Sequence, residues 1–125
     1  MGQKLLWLAI SGALATVSRY LLAGFIQRIV ASLFPWGTLG VNGLGCFLFG
    51  IVSAITSERF AVGSETRTII LVGFLGAFTT LSTAIAEFGQ LAMDGAWLRA
   101  AAYLVGSNAA GISAFLAGLA LGRMI

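Results

Sequence analysis

Four long apolar segments dominate this chain of 125 residues and limit what it can fold into. Each has about the 20 residues that a helix needs to cross the hydrocarbon core of a bilayer. The segments run from Leu5 to Ile26, from Gly37 to Thr56, from Thr68 to Leu91 and from Trp97 to Gly122. We therefore predict an all-α membrane protein with four transmembrane helices, forming a single domain over residues 1–125.

The composition excludes several classes of protein. Hydrophobic residues make up 59% of the chain and charged residues only 9%, whereas about a quarter of the residues in a soluble domain are charged. The net charge of +3 comes from basic residues that are scattered singly, so they are interpreted as helix-end anchors and no nucleic-acid partner is predicted. The chain has no histidine and no recognisable nucleophile–base pair, so we do not predict an enzyme.

The distribution of basic residues does not fix an orientation in the membrane. Four spans place both termini on one side, and the positive-inside rule compares the basic residues of the two sides. One side carries four and the other two or three: Lys4, Arg59, Arg67 and Arg123 against Arg28 and Arg99, with Arg19 joining the second group if it snorkels that way. Two interpretations stay open. Either partners or insertion order set one orientation, or copies insert both ways and pair head to tail.

A bundle of four short helices fills its interior with side chains, so a pore within one protomer is not expected and an oligomer is predicted. The fourth segment has a small residue at every fourth position: Gly106, Ala110, Ala114, Gly118 and Gly122. Such a stripe allows two helices to approach closely. It serves packing within one protomer or between copies, and the sequence leaves both open.

The third segment collects polar residues in an apolar run between Gly73 and Glu87. Thr79, Thr83 and Glu87 are spaced four residues apart, with Ser82 beside them, so a continuous helix would present them as one stripe. Polar groups without partners in hydrocarbon cost several kcal/mol each, roughly. A functional role is therefore predicted for this stripe.

The same segment is predicted to be broken near residues 76–80. Gly73 and Gly76 precede the β-branched pair Thr79-Thr80, and both features disfavour a regular helix. A break at membrane depth frees backbone carbonyls, which then need other partners such as ions. Carbonyl and hydroxyl oxygens suit a hard cation such as Na⁺.

Each of the other spans also contains polar residues. Arg19, late in the first span, remains charged, so it either attracts anions or snorkels to the interface. Asn42 in the second span either stabilises the packing of helices by a hydrogen bond between them or is a donor that lines a pore. Ser107 in the fourth span either extends a polar track or supports interhelical contacts.

Two motifs, together with Arg19-Tyr20, resemble those of the CrcB/Fluc fluoride channels, and the resemblance covers essentially the whole chain. The motifs are Gly37-Thr38-Leu39-x-Val41-Asn42-x-x-Gly45 and Gly73-Phe74-x-Gly76-x-x-Thr79-Thr80-x-Ser82-Thr83-x-x-x-Glu87.

The resemblance implies a passive, fluoride-selective channel in the cell inner (plasma) membrane that keeps cytoplasmic fluoride low and so protects against its toxicity. It also implies an antiparallel dimer of dual-topology subunits with two pores and a structural Na⁺ at the dimer centre. Carried over to this sequence, the backbone carbonyls of Gly76 and Thr79 would hold the Na⁺. The anion pathway would comprise Arg19 at the vestibule, Asn42, the hydroxyls of Ser82, Thr83 and Ser107, and the acidic position Glu87.

The chain departs from the family pattern at two positions. Leu81 and Ala84 stand where the family has phenylalanines, whose electropositive ring edges are thought to contact the anion. Phe115 stands where a family hydroxyl aligns. Three interpretations follow: a heterodimer whose paralogous partner supplies the missing groups, which is slightly preferred; a homodimer that uses other aromatics such as Phe78 or Phe47; or a member that conducts fluoride poorly.

Two rival functions are weighed against the channel. A small multidrug or guanidinium exporter also has four short helices and dual topology, but it needs a carboxylate in its first helix, and this chain has Arg19 there instead. A non-conducting assembly or regulatory subunit would explain the loss of both phenylalanines.

Overall fold

The computed structural model describes residues 1–59 and 61–125, with the side chain of Arg59 excepted, and all regular structure in these residues is helical. Four helical spans are long and apolar enough to cross a membrane: Gly2–Val30, Trp36–Glu58, Ser64–Met93 and Trp97–Met124. These spans confirm the four predicted ones. Each extends beyond the predicted apolar run, because the helical backbone continues into the polar flanking residues.

Two of the spans are composite. The first and fourth are the single helices α1 (Gly2–Val30) and α6 (Trp97–Met124). The second consists of α2 (Trp36–Ala54) followed by a π-helical turn (Ile55–Arg59). The third consists of α3 (Ser64–Thr68), a π-helical stretch (Ile69–Leu75), the short α4 (Gly76–Phe78) and, after a break, α5 (Leu81–Met93).

One glutamine fastens the turn between the first two spans. The side-chain Nε2 of Gln27 donates to the carbonyls of Ser32 (2.7 Å) and Phe34 (3.1 Å). Its Oε1 accepts from the backbone N–H of Gly37 at 3.0 Å. Because both ends of the carboxamide bind the backbone, the start of α2 is fixed against the end of α1.

The helices α2 and α6 pack backbone to backbone through glycines. A Cβ added to Gly118 would overlap the carbonyl oxygen of Phe47, and one added to Gly122 would lie 2.8 Å from the carbonyl oxygen of Ile51. A Cβ at Gly106 would meet nothing within 4 Å. The C-terminal end of the small-residue stripe, at Gly118 and Gly122, therefore packs within the protomer, whereas Gly106 at its N-terminal end does not.

Two buried clusters hold the broken span in place. Ala15, Val41 and Phe78 form the first cluster, which joins α1 and α2 to the segment before the break. Leu91 and Tyr103, with Ala100, form the second, which joins α5 to α6. The break between the two clusters is thus held from both sides.

Candidate functional site

The third span breaks at Thr79 and Thr80. Both residues have extended backbones, with φ −88° and ψ 155° at Thr79 and φ −148° and ψ 112° at Thr80. The predicted break near residues 76–80 is thereby confirmed. Thr79 lies outside the helix that carries Thr83 and Glu87, so it does not belong to the stripe expected for a continuous helix.

Asn42 of α2 pairs with the backbone of the break. Its Nδ2 donates to the carbonyl of Thr80 at 3.0 Å, and the Thr80 N–H donates to its Oδ1 at 2.7 Å. A carboxamide offers a donor and an acceptor in the same plane, so it binds one residue as a neighbouring strand would. Asn42 therefore links α2 to the break, and it also lines the cavity described below.

Three hydroxyls gather at the start of α5. Thr80 caps the helix, because its Oγ1 accepts from the Thr83 N–H at 3.2 Å. The same hydroxyl donates to Thr83 Oγ1 at 3.0 Å and lies 3.4 Å from Ser82 Oγ. This cluster stands at the positive end of the α5 dipole.

Arg19 lies on the other side of the break, where α4 ends. Its Nε donates to the carbonyl of Ala77 at 3.3 Å, which is an oxygen at the negative end of a helical segment. The half-buried side chain also lines a cavity of about 550 Å³ together with Thr38, Thr83 and Glu87. The structure thus brings Arg19 together with two other predicted site residues.

Glu87 is held by two hydroxyls from other spans. Thr38 Oγ1 donates to its Oε1 and the Tyr103 hydroxyl donates to its Oε2, each at 2.7 Å. Both donors are buried, Tyr103 with only 1% of its surface exposed, and hydrogen bonds to a carboxylate are stronger than neutral ones. Thr38 and Tyr103 are not predicted from the sequence as partners of Glu87, because their only signal is a hydroxyl in an otherwise apolar helix.

A cavity of about 440 Å³ opens between α2, α5 and α6. We call it the break cavity. Its lining combines polar groups with apolar side chains, among them Asn42, Thr80, Ser107, Asn108, Phe49, Leu81, Ala84 and Phe115. The Oγ of Ser107 is shielded from solvent and has no hydrogen-bond partner within residues 1–59 and 61–125. Among the predicted site residues, Asn42, Thr79 and Ser107 line the break cavity. Thr83 and Glu87 instead line the cavity beside Arg19, and Ser82 lines neither of the two.

The aromatic side chains near the break cavity are not those that the sequence suggested. Phe78 is 5% exposed and stacks on Phe74 with centroids 6.0 Å apart, and neither Phe78 nor Phe47 lines the cavity. Phe49 and Phe115 line it instead, with ring centroids 6.4 Å apart and planes inclined by 55°.

The described side chains contain no group of three or more His, Cys, Asp or Glu residues that could hold a metal ion. A hard cation also takes backbone carbonyl oxygens as ligands, and the break provides these. In a continuous helix the Gly76 and Thr79 carbonyls would accept from Thr80 and Thr83, but these two N–H groups bind Asn42 and the Thr80 hydroxyl. The two carbonyls predicted as ligands thus lack their helical donors, and they fit a hard cation.

The model of the family described as "CrcB-like protein, Camphor Resistance (CrcB)" matches residues 6–119. Several similar curated proteins bear the name "Fluoride-specific ion channel FluC". The one from Nitrosococcus oceani is 47% identical over 125 residues, and that from Desulforapulum autotrophicum 46% over 125 residues, each alignment covering 100% of both chains. The one from Maridesulfovibrio salexigens is 43% identical over 122 residues, covering 98% of this chain and 97% of the relative.

Proposed function

We propose, because this chain belongs to the CrcB family, that it is a passive, fluoride-selective ion channel or a subunit of one. Its role would be to lower cytoplasmic fluoride and so protect the cell against fluoride toxicity. The similar proteins named as fluoride channels support this function over the full length of the chain. We further propose that the single domain acts in transport and not as an enzyme.

The observation that carries the proposal is the start of α5 within the third span. Fluoride is a small anion with a strong hydration shell, so a pathway must replace water with other donors. The first N–H groups of a helix have no partner within the helix, and here they adjoin the hydroxyls of Thr80, Ser82 and Thr83. Broken helices in transporters present such positive ends to anions.

Asn42 and Ser107 extend this arrangement into the break cavity. Asn42 keeps one amide hydrogen that is not used in its two bonds to Thr80, and the shielded Ser107 hydroxyl lacks a protein partner in the described residues. We assign both to the anion pathway, with Ser82 and Thr83. Arg19 would attract anions at the vestibule by its permanent charge.

Glu87 would take part in the same pathway through the groups that it orients. Its carboxylate accepts from both Thr38 and Tyr103, and it borders the cavities on either side of it. Because both oxygens are hydrogen-bonded, the charge is partly compensated. An anion passing nearby would therefore meet less repulsion than from a free carboxylate.

A second subunit is part of the proposal. Leu81 is 71% exposed and Ser82 beside it is exposed too, so the protein surface directly after the helix break is uncovered. Non-helical backbone at membrane depth must be buried in protein or line a water-filled cavity. We propose that an antiparallel copy, or a paralogous chain, covers this face in the cell inner membrane. A structural Na⁺ held by the carbonyls of Gly76 and Thr79 would offset the negative end of α4.

A partner-dependent subunit is the second candidate. The break cavity has Leu81 and Ala84 on α5 and Phe115 on α6, so it lacks the two α5 ring edges implied by the family pattern. A paralogous partner that carries phenylalanines at the corresponding positions would supply those edges. In that case, this chain alone would conduct poorly.

Fluoride efflux from liposomes tests both candidates. Vesicles loaded with potassium fluoride and containing the purified protein are treated with valinomycin, and a fluoride electrode follows the release. We expect release from vesicles with the wild-type chain and none from protein-free vesicles. Release only from the Leu81→Phe/Ala84→Phe variant, or only with a paralogue, would support the second candidate. No release from any of these, with monodisperse folded protein, would overturn the proposed function.

A further inference from the structure

We propose that Asn42 and Thr80 are positioning residues that create the cation site at the break. They do so by drawing two backbone N–H groups away from the carbonyls of Gly76 and Thr79. This inference rests on the proposed structural cation, and it concerns residues that themselves donate no ligand to it.

Asn42 holds the first of these N–H groups, that of Thr80, away from the Gly76 carbonyl. A helical carbonyl accepts from the N–H four residues later, which for Gly76 is the N–H of Thr80. That N–H donates to Asn42 Oδ1 at 2.7 Å, and Asn42 Nδ2 binds the Thr80 carbonyl at 3.0 Å. Because both sides of Thr80 are held, its N–H cannot return to Gly76 without breaking two hydrogen bonds.

The side chain of Thr80 holds the second N–H group, that of Thr83, away from the Thr79 carbonyl. The helical donor for the Thr79 carbonyl is the N–H of Thr83. This N–H donates to Thr80 Oγ1 at 3.2 Å as the N-cap bond of α5. The cap that starts α5 thus also removes the donor from the Thr79 carbonyl.

Neighbouring groups do not take the place of the lost donors in the bonds that the structure records. The Thr79 N–H and Thr79 Oγ1 both bind backwards to the carbonyl of Leu75, at 3.2 and 3.1 Å. Arg19 binds the carbonyl of Ala77, between the two proposed ligands in sequence. Carbonyl oxygens at the negative end of a helical segment and at membrane depth favour a hard cation.

The matched variants are Thr80→Val and Thr80→Ser. Valine keeps the shape of threonine but removes the acceptor for the Thr83 N–H, whereas serine retains it. Ser82→Ala serves as a control, because it removes a hydroxyl from the same turn without removing the cap. Asn42→Ala tests independently whether Asn42 withholds the Thr80 N–H, since the variant returns that N–H to the Gly76 carbonyl. This variant also keeps the proposal testable if Thr80→Val does not fold.

The experiment measures how sodium stabilises the purified full-length protein in detergent. Thermal unfolding is followed while NaCl replaces N-methylglucamine chloride at constant ionic strength. For Thr80→Val and Asn42→Ala we expect the sodium concentration of half-maximal stabilisation to rise about tenfold, the equivalent of one lost hydrogen bond. For Thr80→Ser and Ser82→Ala we expect the same sodium concentration of half-maximal stabilisation as for the wild type.

Fluoride efflux is measured on the same preparations to separate this inference from the proposed function. An unchanged sodium dependence in Thr80→Val and Asn42→Ala overturns the inference, as does a wild type that conducts fluoride but is not stabilised by sodium. In the first case wild-type efflux decides the proposed channel function separately; in the second case fluoride conduction stands and the proposed Na⁺ is withdrawn. A wild type that is stabilised by sodium, with the expected shifts but without fluoride efflux, supports the inference and contradicts the proposed function.

Discussion

At the scale of single residues, Gly45 determines how closely α2 approaches the break. A Cβ built on Gly45 would overlap Thr79 Cγ2 and lie 3.1 Å from Phe78 Cδ1. Asn42, one turn earlier on the same helix, binds Thr80. The α2 helix therefore positions the break both by close packing and by hydrogen bonds.

We predict that Gly45→Ala lowers the stability of the protein by about 1–3 kcal/mol, the usual cost of overpacking. The added methyl group would displace Thr79 or the α2 backbone. Gly43→Ala is the matched control, because a Cβ there meets nothing within 4 Å. Thermal unfolding in detergent measures both variants, and an equal effect of the two would contradict this account.

The hydrogen bonds to Glu87 give a second prediction at this scale. Tyr103→Phe removes the buried donor to Oε2, so we expect a loss of about 1.5–3 kcal/mol, as for hydrogen bonds to charged groups. Tyr20→Phe is the control, because the Tyr20 side chain is 77% exposed. Unfolding of both variants in detergent should show a loss only for Tyr103→Phe; a neutral Tyr103→Phe would mean that this bond does not stabilise the fold.

Single-residue roles were only partly predictable from the sequence. Asn42 was identified as a buried carboxamide that needs partners, but its partner is the backbone of Thr80, 38 residues away. The partnership of Glu87 with Thr38 and Tyr103 joins three different spans. Such pairings depend on how the helices are arranged, which a single sequence does not specify.

At the scale of helices, glycines allow α2 and α6 to pack closely against each other. Gly118 and Gly122 face the backbone of α2, where any side chain would collide with carbonyl oxygens. Because backbone atoms cannot rotate away as a flexible side chain can, these two positions tolerate no Cβ without a shift of the helices.

We predict that Gly118→Ala separates α2 from α6 and lowers the melting temperature strongly, while Gly106→Ala on the same helix has little effect. The Cβ at Gly118 would overlap the Phe47 carbonyl, whereas the one at Gly106 meets nothing within 4 Å. Thermal unfolding of the two variants measures the difference. A stronger effect at Gly106 would instead place the main contact of this stripe between copies.

The helices themselves were more predictable than their details. The four spans follow from apolar length, and the break follows from glycines placed before two β-branched residues. The π-helical stretch Ile69–Leu75 was not predicted. This stretch packs against α1, where the Ser11 hydroxyl donates to the Ile69 carbonyl at 3.4 Å, a contact between spans that local residue preference does not predict.

At the scale of the whole molecule, many large apolar side chains of the described residues are exposed. A face with a helix break and exposed Leu81 remains open in the single protomer. Which chain covers this face was beyond prediction from the sequence, because the answer depends on a second surface.

We predict that the chain inserts in both orientations. In a Cys46→Ala background, Gly2→Cys provides a single exposed thiol near the N-terminus. An impermeant maleimide should label about half of the molecules from outside intact cells and the rest only after permeabilisation, because a weak charge bias does not impose a single orientation. Labelling from one side alone would contradict dual topology.

Passive and selective conduction of fluoride by this protein can be decided from the reversal potential of its current. The purified protein is recorded in a planar bilayer with a fluoride gradient and an opposing chloride gradient, first at equal pH and then across a pH gradient. We predict a current that reverses at the fluoride equilibrium potential under both conditions. A reversal at the chloride potential, or one that moves with the pH gradient, would contradict a passive fluoride channel.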